Sequence, residues 1–242
     1  MNGSRPAPRR EKARAATIEE IKRTARALMR EHGTIDVRFA DIARAMDMTP
    51  PALYRYYADR DELLSDLIAD AYHELGEAVA TARDAVPTAD IGGRFVAVSQ
   101  SYRQWARQEP QQFALILGLP VPGYAAPVGG PTTEAARQTM AQLSSLFVEA
   151  LQQRRLDPPR LRDVHPAVAE CAAAKAAEGG MPIPAETFQA MLHTWATLHG
   201  FIALEAHGHF DWLGEQARDA LFEGQVRVAA EVAGMPAPIA TH

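Results

Sequence analysis

IARAMDMTPPALYRYY, residues 42–57, decides how this chain folds. Ile42, Ala43 and Met46 recur at the spacing that gathers side chains on one face of a helix, and Phe39 joins them from upstream. Asp47-Met48 interrupts the pattern. Thr49-Pro50-Pro51 restarts it, because a threonine hydroxyl suits an N-cap and proline needs no N–H in a first helical turn. The reading is a short helix over about 38–45, a break, and a second short helix from Thr49 to about Tyr56. Tyr54, Tyr56 and Tyr57 crowd the end of that second helix, with Arg55 among them. Helical spacing spreads these aromatics around the axis, so they cannot all enter one core.

Upstream, Ile18, Ile21, Ala25, Leu28 and His32 recur at helical steps, and Gly33 supplies a stop. Thr17 and Glu20 fit a capping box, which starts that helix at Thr17. Residues 1–14 are polar and basic, and read as a flexible arm. Downstream, Asp59 three residues before Glu62 signals another start, for a helix running to about Ala82. Further helices are predicted over about 91–108, 110–117, 132–155, 164–178, 185–207 and 212–233. Residues 118–131, GLPVPGYAAPVGGP, read as a loop. No alternating strand pattern and no repeat is present, so the fold class is all-α, with nine to ten helices.

The chain has 242 residues, 47% of them apolar, which suits one large domain or a small domain joined to a larger one. No run approaches the ~18 apolar residues of a membrane span. The N-terminus lacks the apolar segment of a secretory signal. The single cysteine, Cys171, allows no internal disulfide and lies on an Ala-rich stretch, where a small buried role is expected. These features point to a cytoplasmic protein. The net charge of −5 is divided unevenly. Residues 1–60 hold 13 Lys and Arg against 8 Asp and Glu, while residues 61–242 hold 12 against 22. A basic front on an acidic body suggests a module for a polyanion.

Two short helices joined by a tight turn, behind a longer scaffold helix, form a helix-turn-helix layout. In that layout the second helix enters the major groove of DNA. The run from Ile42 to Tyr57, with Arg60 and Glu62-Leu63-Leu64 after it, resembles the TetR family of transcriptional repressors. The likeness is strongest at Ile42, Ala43, Leu53, Tyr54, Tyr56, Tyr57 and the Leu63-Leu64 pair, and it covers residues 15–65 closely. Met46, Asp47 and Met48 depart from the family's small residue, glycine and valine. Aspartate tolerates the left-handed backbone that glycine serves there. Pro51 stands where glycine is common, and Arg38 stands where a threonine or serine usually caps.

The resemblance implies a three-helix DNA-binding head over 15–60 and a larger helical body over 61–237 for ligand binding and dimerisation. Leu53 and Tyr57 should point inward. Tyr54, Tyr56 and Arg60 should meet phosphates, which set register but carry no sequence. Arg38 is placed to reach a phosphate. Thr49, Pro50, Pro51 and Ala52 face the groove, the last three offering apolar contact as to a thymine methyl, and Arg55 suits a guanine edge or a phosphate. Arg5, Arg9, Arg10, Lys12 and Arg14 either reach neighbouring DNA or form a solubilising tail.

A lone recognition helix contacts few base pairs, so a homodimer on two-fold DNA is expected. The helices over 185–207 and 212–233 carry apolar residues on more than one face, and the resemblance assigns them the dimer interface. Trp195-Ala-Thr-Leu-His199-Gly200 looks like the signature of the WHG class of TetR C-terminal domains. There His199 could meet a ligand or titrate; the favoured reading is structural, with Gly200 permitting close packing. Tyr102, Trp105, Phe113, Leu117, Met140, Phe147, Met191, Trp195 and His199 are the candidates for lining a pocket for a small, mostly apolar effector. No catalytic or phosphate-loop motif and no metal-ligand spacing appears, so neither an enzyme nor a cofactor is expected. The combined expectation is a repressor released from a palindromic operator by that effector; the alternative is an activator or a constitutive binder.

Overall fold

A computed structural model describes residues 9–121, 123–127, 129–178 and 183–239, and among them the chain is helical with no strand. The elements are α1 (Arg9–His32), α2 (Phe39–Ala45), α3 (Pro50–Leu53), α4 (Arg60–Asp84), α5 (Ile91–Gln108), α6 (Pro110–Leu117), α7 (Pro131–Gln152), α8 (Pro166–Ala177), α9 (Ala185–Ala206) and α10 (Glu215–Ala233). The all-α expectation and the order of the elements agree with the sequence reading. Two boundaries do not. α1 begins at Arg9, and Thr17 donates its hydroxyl hydrogen bond back to the Ala13 carbonyl within the helix instead of capping it. Residues 9–14 of the expected arm are therefore helical, while Arg5 lies outside the described residues. α3 has four residues and gives way to turns over Tyr54–Tyr56, so it is shorter than its pattern suggests.

The chain divides into two units, one formed by residues up to Tyr72 with Glu109–Ala136, the other by His73–Gln108 with the residues from Arg137 onward. The division falls inside α4 and inside α7.

In the first unit, Ile21, Ala25 and Met29 of α1 meet Ile42 and Ala43 of α2, Leu53 of α3, and Leu63, Leu64 and Leu67 of α4. Tyr57 completes this core, and Leu115 of α6 and Val121 of the following loop also belong to it. His32, expected on the inner stripe, is exposed at the last residue of α1. Lys22 on α1 reaches Asp70 on α4 at 2.9 Å and Glu19 at 2.7 Å, and Arg26 also pairs with Asp70. Burial works against the Lys22 charge, but the hydrogen bonds to Glu19 and Asp70 outweigh it, so its pKa is raised. The loop after α6 is tied down by the Tyr124 and Ser65 hydroxyls, 3.0 Å apart, and the end of α6 by the Tyr72 hydroxyl, which donates to the Ile116 carbonyl.

The second unit is organised around α5, whose Phe95, Val98, Tyr102 and Trp105 form the predicted inward stripe. Arg103 of α5 holds α9 and α10 against it. Its Nε and Nη2 donate to both Glu205 oxygens at 2.7 and 2.6 Å, and Nη1 lies 2.9 Å from Asp219. The guanidinium also sits over the Phe222 ring, 4.9 Å from its centroid. A second buried arginine, Arg94, joins Asp84, Glu149 and the Arg83 carbonyl. Cys171, expected to be buried, is exposed on α8.

Candidate nucleic-acid interface and effector residues

The turn between α2 and α3 is built by backbone chemistry. Asp47 has φ +52, the left-handed conformation anticipated for an aspartate in a glycine position. The Met48 N–H donates to the Ala43 carbonyl at 2.9 Å and the Asp47 N–H to the Arg44 carbonyl at 3.3 Å. These two bonds close a Schellman motif, and Met48 packs on the head core as such a motif requires. α2 therefore stops at a defined angle, and Thr49 and Pro50 start α3 two residues later. Neither Arg38 nor Thr49 makes a side-chain cap bond.

Burial then sorts the LYRYY aromatics. Leu53 is 0% and Tyr57 2% exposed, and the Tyr57 hydroxyl donates to Asp66 Oδ2 at 2.9 Å. Burial first, and then that carboxylate, push the Tyr57 phenol well above its ordinary pKa. Tyr54 is 56% exposed, its ring leaning on Phe39 with centroids 5.2 Å apart. Arg38, Thr49, Pro50, Pro51 and Arg55 are exposed, and Ala52, Tyr56 and Arg60 are half-buried. Arg60 pairs with Asp36 at 2.8 Å. An exposed pair of this kind is worth at most about 1 kcal/mol, so it does not withhold the guanidinium from a phosphate. The Asp59 carboxylate accepts from the Glu62 N–H at 2.9 Å while Glu62 accepts from the Ala58 N–H, so α4 starts at a reciprocal cap beside Arg60.

Sequence reasoning missed one neighbour. Arg14 of α1 donates from Nη2 to the Arg55 and Tyr56 carbonyls at 3.4 Å each, and its guanidinium lies 5.7 Å from the Tyr56 ring centroid. The helical run from Arg9 to Thr17 was the available signal, hidden by a threonine that looked like a cap.

The nine effector candidates do not form one group. Phe113 and Leu117 belong to the first unit; the other seven belong to the second. In the second unit three of them meet. The Tyr102 hydroxyl lies 2.8 Å from His199 Nδ1, and Trp195 stacks on the His199 ring at 5.1 Å with an interplanar angle of 8°. Burial first, then the charge of His207, lower the His199 pKa. Trp105 and Phe147 are buried, Met140 and Met191 half-buried, and Trp195 is 37% exposed. Two cavities of the second unit, of about 480 and 470 Å³, share Gln100 and Phe222 and include none of the nine. Gly200 does not serve close packing among the described residues, since a Cβ there meets none of their atoms within 4 Å.

A basic helix-turn-helix head followed by a helical body defines a DNA-binding regulator. The N-terminal profile of the TetR family of bacterial regulatory proteins matches residues 21–67, and the tetracyclin repressor-like C-terminal domain matches residues 95–229. The second match alone spans more than half of the chain, and the protein belongs to the TetR family. The chain is similar to the HTH-type transcriptional regulator Rv1816 of Mycobacterium tuberculosis, with 37% identity over 119 residues, 49% of this chain and 51% of that protein. It thus spans about half the length of the sequence relatives it matches. The crystal structure of SCO4313, named as a regulatory protein, is 30% identical and has a TM-score of 0.72, with 92% of this chain and 98% of that one covered. RolR in complex with resorcinol shares the fold alone, at 16% identity and a TM-score of 0.53, with 94% and 98% covered. TetR family regulators are transcription factors that bind DNA and dimerise. No helix among the described residues is long and apolar enough to cross a membrane.

Proposed function

We propose that this protein is a cytoplasmic, sequence-specific repressor that binds a palindromic operator as a homodimer and is released by a small, mostly apolar effector. The observation that carries the reading is the sorting of α3 and its turn. Leu53 and Tyr57 are anchored, while Thr49, Pro50, Pro51, Tyr54 and Arg55 stand exposed, as does Arg38 just before α2. In this reading Tyr54, Tyr56, Arg38 and Arg60 take phosphates, and Pro50, Pro51, Ala52 and Arg55 face base edges.

Support for the dimer lies on α9 and α10, where Leu192, Leu204, Leu221 and Val228 are 43–52% exposed. Gly200 leaves open space on α9 among the described residues, and a Cβ at Gly224 on α10 would meet only the Arg227 guanidinium at 3.9 Å, as a closely approaching partner helix needs. The effector reading rests on the Tyr102–His199–Trp195 cluster, which offers stacking faces beside a polar pair. The fold neighbour RolR was solved with a small aromatic, resorcinol.

Selection of bound duplexes from a random library tests the core of the proposal. A two-fold symmetric consensus supports a dimeric reader; recovery of no preferred sequence overturns it. Gel-shift titration of candidate small molecules on the selected duplex tests release, and a duplex retained against every one of them would leave a constitutive binder.

A further inference from the structure

α3 is too short to finish its own hydrogen bonding. After Leu53 the backbone turns three times, with N–H groups of Arg55, Tyr56 and Tyr57 returning to Ala52 and Leu53. The Arg55 and Tyr56 carbonyls lie beyond those acceptors, in the turns that follow α3. Arg14 comes to both of them from α1, 41 and 42 residues earlier in the chain. At 3.4 Å each contact is at the outer reach of a hydrogen bond, so the attraction is electrostatic as much as directional. The same guanidinium covers the Tyr56 ring.

We infer that Arg14 is a positioning residue of the DNA-reading segment. It closes the open end of α3 and holds Tyr56, and through them the phosphate-facing edge, without itself contacting DNA. This deepens the DNA-binding reading above and rests on it. A lysine cannot replace the arginine here, because two carbonyls and an aromatic face need the planar fork, whereas a point charge suffices for a phosphate.

The competing role is direct phosphate contact by an exposed basic residue, and salt dependence separates the two. Removing one phosphate contact lowers the slope of log K against log salt by about 0.9, whereas losing a positioning residue lowers affinity with the slope unchanged. The test uses the full-length protein and a duplex selected by the wild type, with the variants Arg14→Met and Arg14→Lys. Both should lose about tenfold in affinity, equivalent to ~1.4 kcal/mol, at constant slope. Amide hydrogen exchange of the DNA-free protein should accelerate at residues 55–57 in both variants. A smaller slope in Arg14→Met with wild-type affinity in Arg14→Lys would make Arg14 a phosphate contact and overturn the inference. Unchanged exchange at 55–57 would overturn it as well. If the wild type selects no DNA, the DNA-binding reading fails by itself, while the exchange measurement still decides what Arg14 holds.

Discussion

The head and the body differ in how their key contacts are spaced along the chain. In the head, α1 is tied to α4 by Lys22 and Arg26 at Asp70, but the DNA-reading segment is set by closely spaced residues: a Schellman turn across Ala43–Met48, a reciprocal cap across Ala58–Glu62, and Leu53 and Tyr57 four residues apart in the core. In the body, buried arginines join positions far apart in sequence, with Arg103 reaching Glu205 and Asp219 over about a hundred residues. A unit built on local rules can present the same narrow edge to DNA while its outer residues vary. A unit keyed by distant ion pairs is sensitive to the relative placement of whole helices.

The largest effects should come from breaking each unit at its own key. Tyr57→Ala removes a buried ring and should destabilise the head by about 3–5 kcal/mol. Arg103→Met strands the Glu205 carboxylate, only 6% exposed, and should destabilise the body by a similar 3–5 kcal/mol. Adding Glu205→Leu should recover part of that loss, since no unpaired charge then stays buried. All three tryptophans, Trp105, Trp195 and Trp212, lie in the body, so tryptophan fluorescence during denaturation reports on that unit. Tyr57→Ala should abolish DNA binding and leave the fluorescence midpoint in place, while Arg103→Met should move the midpoint. One common transition in both variants would break the comparison.

The same contrast explains what could be read from the sequence. The helix order, the turn at Asp47 and the inward Leu53 and Tyr57 were legible because each is set by residues a few positions away. Thr17 misled because a threonine and a glutamate three apart satisfy a cap or a continuing helix equally well; basic residues from Arg9 onward do not break a helix. The α6 segment was read as part of the body because chain order placed it there, yet Leu115 and Val121 belong to the head's core. The role of Arg103 had no signal in the sequence, since no local pattern announces a carboxylate about a hundred residues away. Gathering nine candidate pocket residues from aromatic content could not tell one unit from the other.

Two substitutions should act at the level of about 1 kcal/mol. Tyr56→Phe keeps the ring beneath Arg14 and removes one hydroxyl. Its fold should be unchanged and its affinity should fall by about 1 kcal/mol on every duplex alike. Normal binding would remove Tyr56 from the phosphate contacts. Gly200→Ala meets no atom of the described residues within 4 Å and improves helix propensity by up to about 1 kcal/mol. It should raise the stability of the isolated subunit while weakening self-association in sedimentation velocity. Unchanged association would place the dimer contact elsewhere on α9 and α10.

The smallest effect belongs to the Tyr102–His199 contact. The His199 pKa lies below its ordinary 6.5 in the folded body, so the folded state favours the neutral ring. Its contribution to stability is therefore complete above 6.5 and is lost as pH falls through the folded value, because the unfolded chain binds the proton first. Protonation also sets a charge against His207 and removes the Nδ1 lone pair that can accept from the Tyr102 hydroxyl 2.8 Å away. On acidification from neutral pH to about one unit below 6.5, the fluorescence midpoint of the body should drop more in the wild type than in His199→Gln, whose amide does not titrate. The DNA-free head, probed by exchange at residues 55–57, should show no matching difference between the two proteins. Equal slopes of the midpoint against pH in both would mean that His199 is no part of the body's acid sensitivity.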